Sequence, residues 1–319
     1  MRPAISSQHQ RPPNYLISRQ RDEDPFLLTE WLLVLRGDGK SPRTVEGYAD
    51  SVRQLSAFLR RGGFPSAEQA TAEHLREWLS ELRAKGNKPA TVNTRYRGAY
   101  AFYKWLLQEG ELQNNPLDRI APPSVPETVQ PYYTVEEIQM VLKSLRSRRA
   151  KGADAARVRA IVLTLFDTGL RASELCGLQV EDADWESQTV IVRHTKGGDH
   201  RVVSVGTAAT RSLLAYLRVR GHNSPWLTAT LDGDRLTRNA LKLTLRRAFE
   251  AAGIEFKGIH AFRRASGIEY LKQGGPAEDL RVLMGWKSPE MVRRYVKAAE
   301  VERATTAHKR FSPADSLDT

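Results

Sequence analysis

Between Asn114 and Tyr133 the chain carries five prolines, Pro116, Pro122, Pro123, Pro126 and Pro131. A proline inside a helix or a central strand removes a hydrogen-bond donor and clashes with the backbone before it, so neither element can run through this stretch. Residues 114–133 are therefore predicted to form an extended linker. A chain of 319 residues suits two ordinary domains. The prolines place the division between them.

Before the linker the apolar residues recur at helical spacing. Phe26, Leu27, Trp31, Leu32 and Leu35 fit one face of a helix that Gly37 and Gly39 end. Ser41 is an N-cap with Pro42 at the first helical position, and Val45, Tyr48, Val52, Leu55 and Leu59 follow at spacings of three and four. A third helix is predicted over 72–82. A fourth runs over 89–107, with Val92, Tyr96, Ala99, Tyr103 and Leu106 inward. Arg43, Arg53, Arg95, Arg97 and Lys104 fall on the opposite surfaces. Residues 24–113 thus read as a small, basic, all-helical domain. Residues 1–23 are polar, lack the apolar core of a signal peptide and are expected to be a mobile arm.

After the linker, Thr134 and Glu137 form a capping box that opens a new helix. Further helices are predicted over 154–168, with Asp154 as N-cap, and over 171–178. Two β-rich runs, 189–195 and 201–205, flank Lys196-Gly197-Gly198-Asp199, a hairpin signal. Helices then follow over 208–220, 237–252, 260–273, 277–284 and 289–298. No pattern is legible beyond Ala304, so 134–304 is expected to be a second domain and 305–319 a tail. The fold class is mainly α: a small all-helical domain, then a mixed α+β domain with a small antiparallel sheet.

The 49 Lys and Arg residues outnumber the 37 Asp and Glu, a formal net charge of +12. A surplus of this size favours an anionic partner, nucleic acid first, because neutralised phosphates release counterions. The one cysteine, Cys176, excludes an intrachain disulfide and lies between Leu175 and Gly177, where a buried, inert thiol is expected. No apolar run reaches membrane-spanning length, and the protein is expected in the cytoplasm. Gly37-Asp38-Gly39-Lys40-Ser41 ends like a P-loop, but Val34 stands where the first Gly is needed and a helix precedes it. No Cys/His spacing suits zinc. Neither a metal nor a nucleotide cofactor is called for.

Three short constellations carry chemistry. In Thr168-Gly-Leu-Arg171-Ala-Ser-Glu174 a helix stops and another starts, with Arg171 and Glu174 on one face. In His260-Ala-Phe-Arg263 an imidazole and a guanidinium share a face, able to hold a phosphate and move a proton beside it. In Gly285-Trp286, Tyr295 follows nine residues later on a short basic helix. Singly, these are equally an ion pair, a lone histidine beside a solvated arginine, and a packed aromatic.

Together, in this order and spacing, they resemble the signature of the tyrosine recombinase (phage integrase) family, and the resemblance covers nearly the whole chain. It implies that residues 24–113 are the family's helical core-binding (SAM-like) DNA-binding domain and 134–304 its catalytic domain. It implies one site built from Arg171, Lys196, His260, Arg263, Trp286 and Tyr295. Many members have His where this chain has Trp286, and others have Trp.

The implied reaction is phosphoryl transfer. The Tyr295 hydroxyl attacks a DNA phosphodiester, leaving a 3′-phosphotyrosyl bond and a free 5′-hydroxyl, without ATP. The charge on the attacked phosphate calls for the forks of Arg171 and Arg263. The tyrosine hydroxyl, with an ordinary pKa near ~10, needs a base, and His260 is the candidate. The leaving oxygen needs a proton, from Lys196 at the hairpin turn. Trp286 would buttress the phosphate and exclude water, and Glu174 would orient Arg171. Arg43, Arg95, Arg97 and Lys104 are candidate DNA contacts. The expected partners are double-stranded DNA bearing a specific recombination site, three further copies of the chain in a tetramer on paired sites, and accessory DNA-bending or directionality factors. Integration or excision of a mobile element is the first expectation. A type IB topoisomerase uses similar groups, but the helical N-terminal domain and short hairpin favour the recombinase. A DNA-binding protein without activity is disfavoured by the complete set of six residues.

Overall fold

The computed structural model describes residues 27–64, 66–126, 130–147, 152–193, 200–310 and 315. The expected arm, Lys196 in the hairpin turn and most of the expected tail lie outside the described residues. The chain divides into two compact units, Met1–Thr128 and Val129–Thr319.

The first unit is built from α1 (Leu28–Gly37), α2 (Pro42–Arg61), α3 (Ala72–Ala84) and α4 (Pro89–Gln108). Ser41 caps α2 by accepting from the Thr44 backbone N–H, and Pro42 opens it. Trp31, fully buried, stacks on Tyr48 at 5.6 Å and meets Phe102 at 5.2 Å. α2 and α4 approach closely because residue 98 has no side chain: a Cβ there would lie 2.4 Å from Ser51 Oγ.

The stretch predicted as linker is only partly one. Asn115 accepts from the Leu117 backbone N–H and starts a short 3-10 turn over Pro116–Arg119, with Leu117 fully buried. Tyr96 Oη donates to the Ile120 carbonyl at 2.9 Å, and Asn93 Nδ2 donates to the Pro123 carbonyl at 2.7 Å. Residues 115–123 therefore belong to the first unit. The proline count concealed one apolar anchor, Leu117, whose burial outweighs the extended preference of its neighbours. At the far end Tyr133 is fully buried in the second unit, 4.5 Å from Phe249 and 4.7 Å from Phe262.

The second unit holds α5 (Val135–Ser147), α6 (Ala153–Thr168), α7 (Ala172–Leu175), β1 (Ala183–Asp184), β2 (Thr189–Val192), β3 (Arg201–Ser204), α8 (Thr207–Val219), α9 (Arg238–Glu250), α10 (Ile259–Lys272), α11 (Ala277–Met284) and α12 (Pro289–Arg310). The strands form one antiparallel sheet in the order β1-β2-β3. Val190 pairs with Val203, both buried, while the cross-strand pair Ile191 and Val202 is exposed. β1, two residues long, is too short to show an alternating pattern in sequence. α6 is capped by Gly152 rather than Asp154, whose carboxylate pairs instead with Arg157 at 2.7 Å. α7 stops at Leu175, well short of the predicted 178. α12 runs on to Arg310, past the predicted end at 298. Among the described residues of that helix the last buried one is Ala299. Beyond it the sequence shows no apolar stripe, yet Ala, Glu, Arg and Lys keep a high helix propensity. Cys176 is buried, and burial pushes its thiol up to about 11, so it stays protonated. No described helix is long and apolar enough to cross a membrane.

Candidate active site

α6 ends in Gly169 at φ 61°, a left-handed turn that suits glycine, and a Cβ there would lie 2.6 Å from Met284 Cε. The turn delivers Arg171 to the N-cap of α7. Glu174, three residues on, has a side chain only 1% exposed and accepts four hydrogen bonds. Two come from Arg171, its backbone N–H at 2.8 Å and Nη1 at 2.7 Å. Two come from Arg201 on β3, Nη1 and Nη2, each at 2.8 Å. Burial raises the Glu174 pKa, but the bonds and charges of Arg201 and Arg171 outweigh it and hold the carboxyl down to about 2.

Arg263 lies on α10, only 1% exposed. Its Nη1 donates to the Gly169 carbonyl at 2.8 Å and its Nη2 to the Met284 carbonyl. Its Cζ is 5.4 Å from the centre of the Trp286 ring. Burial, then the charge of Arg171, lowers its pKa to about 10, which leaves it cationic at neutral pH. His260, at the start of the same helix, is exposed where Arg263 is enclosed. Partial desolvation first, then the charges of Arg263, Arg264 and Arg171, lower the His260 pKa below 6.5.

Tyr295 on α12 is half-buried, its ring 4.6 Å from that of the buried Trp286. The ring rests where α10 has no side chain: a Cβ on Gly267 would lie 2.8 Å from Tyr295 Cδ1. Burial raises the Tyr295 pKa, and Arg263, Arg264 and Arg171 pull it back. The same three guanidiniums thus act on the phenol and the imidazole, placing Arg171, His260, Arg263 and Tyr295 in one electrostatic neighbourhood, which Trp286 joins by its contacts with Tyr295 and Arg263.

Sequence reasoning missed Arg201, Arg264 and Gly267. Arg201 gave no signal beyond opening a β-rich run, because its partner Glu174 is 27 positions away. Arg264 follows Arg263 directly and belongs to none of the short motifs. Its Nε donates to the Pro131 carbonyl at 2.8 Å. In the first unit Arg43, Arg97 and Lys104 are exposed. Arg95 is mostly covered, its side chain 19% exposed and 3.5 Å from Asp50.

Residues 132–302 match the phage integrase family, and residues 27–111 match the N-terminal SAM-like domain of phage integrases. The chain is 29% identical over 274 residues to the tyrosine recombinase XerA of Pyrococcus furiosus, covering 85% of this chain and 89% of that protein. It is 29% identical over 283 residues to the tyrosine recombinase XerC of Mycobacterium tuberculosis, covering 86% and 94%. Its fold is shared with a lambda integrase dimer bound to a COC′ core site, with TM-score 0.68 at 18% identity over 91% of this chain and 82% of that one. It is also shared with the XerH site-specific recombinase bound to a palindromic difH substrate, with TM-score 0.71 at 18% identity over 88% and 83%. With the family matched across both units, this chain belongs to the phage integrase family and is a tyrosine-type site-specific DNA recombinase.

Proposed function

We propose that the chain cleaves and rejoins DNA through a 3′-phosphotyrosyl bond to Tyr295, with residues 24–113 as the core-binding domain and 134–304 as the catalytic domain. The observation that carries this reading is the charge around the phenol. The charged groups acting on Tyr295 are the guanidiniums of Arg263, Arg264 and Arg171, a field suited to a phosphodiester and to the phenolate that attacks it. Of the site arginines, Arg171 is the fork for the phosphate, since 28% of its side chain is open to solvent. Arg263 supplies charge from beneath, and Trp286 walls the site against water. His260 takes the phenolic proton as the Tyr295 oxygen bonds to phosphorus. The bond from phosphorus to the 5′-oxygen then breaks, and Lys196 protonates that oxygen. The 5′-hydroxyl of a partner strand reverses the step. No net phosphoester is lost, so no ATP is consumed. Arg43, Arg97 and Lys104, and less directly Arg95, contact double-stranded DNA. Four copies act on two paired sites in the cytoplasm, with DNA-bending or directionality factors, to integrate or excise a mobile element.

The test is covalent trapping. Nicked duplexes covering the DNA that flanks the coding sequence in its chromosome are mixed with protein in EDTA and run on denaturing gels. DNA migrating with protein is the expected result. Tight specific binding without an adduct would point to a non-catalytic DNA-binding protein instead.

The pH dependence of adduct formation follows from His260. Its pKa lies below the ordinary imidazole value of 6.5, so the neutral, proton-accepting form persists to lower pH. The acid limb of adduct formation at DNA concentrations far below saturation, which reports the free protein, should therefore have its midpoint below 6.5 and vanish in His260→Gln. A limb centred above that value in the wild type would remove His260 from the role of base.

A further inference from the structure

We infer that Arg201 is a positioning residue for strand cleavage, which keeps Arg171 available to the phosphate by saturating Glu174. The inference rests on the phosphoryl-transfer reading above. A carboxylate offers about four acceptor sites. On Glu174 all four are used, two by Arg171 and two by the Arg201 fork. Because Arg201 occupies one acceptor site on each oxygen, Arg171 lends only one side-chain nitrogen to the carboxylate. If Arg201 were removed, a side chain 1% exposed would be left with a single cationic partner. The cheapest repair is for Arg171 to swing into a two-pronged pair with Glu174, which withdraws its second Nη from any substrate.

Arg201 does more than neutralise. Its Nε donates to the Leu283 carbonyl at 3.2 Å, and its Cδ lies 3.1 Å from the place a Cβ on Gly285 would take. The next carbonyl, Met284, is held by Arg263. Two guanidiniums, from β3 and α10, thus hold consecutive carbonyls of the turn that presents Trp286. One ammonium cannot span both Glu174 oxygens and the Leu283 carbonyl, so lysine is a poor substitute.

The experiment compares wild type, Arg201→Met and Arg201→Lys in single-turnover adduct formation at saturating protein, on the nicked duplex that traps the wild type. Both variants are expected to cleave about 100-fold more slowly, with DNA affinity within about threefold of wild type. In an Arg171→Ala background, Arg201→Met should cost no more than about tenfold further, because the part of its effect that passes through Arg171 is already gone and only the hold on the Leu283 carbonyl is left to lose. Wild-type rates, or a full additional loss in that background, would overturn the inference. Should Arg201→Met not fold, Arg201→Lys carries the same comparison. If the wild type itself forms no adduct on any fragment, the phosphoryl-transfer reading has failed, and the clamp is then judged alone by nitrogen-15 spectra of the arginine side chains. A moved Arg171 Nε signal in Arg201→Met, absent in Arg43→Met, supports the clamp, and an unmoved signal overturns it.

Discussion

Tyr295→Phe is expected to abolish the covalent protein–DNA adduct while leaving DNA affinity within about twofold of wild type. The substitution removes one oxygen and keeps the ring. The contact with Trp286 at 4.6 Å and the seat on Gly267 both involve ring carbons, so the packing of α12 on α10 is retained. The half-buried hydroxyl has no protein partner among the described hydrogen bonds, so its loss strands no buried donor or acceptor. Removing a nucleophile costs about 10⁴-fold or more in rate, which takes adduct formation below detection on a denaturing gel. Adducts that persist in Tyr295→Phe would mean that another group attacks the phosphate.

Arg263→Met is expected to damage stability and activity together, and this separates it from Tyr295→Phe. The Arg263 guanidinium is enclosed between the Gly169 and Met284 carbonyls. Methionine fills much of the volume but donates nothing, so two buried carbonyls lose their partner. At about 1–3 kcal/mol for each unsatisfied group, the loss should be roughly 2–6 kcal/mol. It is read as a lower urea midpoint with an unchanged m-value. The same change removes one of the guanidiniums facing Tyr295, so cleavage should fall by at least about 10²-fold at temperatures where the variant is folded. A variant as stable as wild type would show that the two carbonyls find another donor, and that Arg263 is not the brace between α6, α10 and the turn before Trp286.

Much of the architecture was legible in the chain, because local rules and tertiary packing agree there. Ser41 with Pro42, and Thr134 with Glu137, start helices by bonds that need no distant partner. The apolar spacing of Val45, Val52, Leu55 and Leu59 requires a buried face wherever the helix docks. The order Arg171, His260, Arg263, Trp286, Tyr295 was readable because each lies in a short motif. The misreadings occur where local preference is weak or is overridden. Leu117 pulls a proline-rich segment into the first unit, Gly152 caps α6 in place of Asp154, and α12 continues without an apolar stripe.

The sequence by itself determined most of the helices, the hairpin strands, the division into two units and the short motifs of the candidate site, since these depend on neighbours within a turn or two along the chain. Only the tertiary structure decided how those residues differ. It buries Arg263 and leaves His260 exposed on one helix, seats Tyr295 against Gly267, and brings Arg201 to Glu174 across 27 positions. Burial and charge pairing are sums over atoms from distant segments. The pKa directions of Glu174, His260 and Tyr295 therefore arise only when α7, β3, α10 and α12 converge.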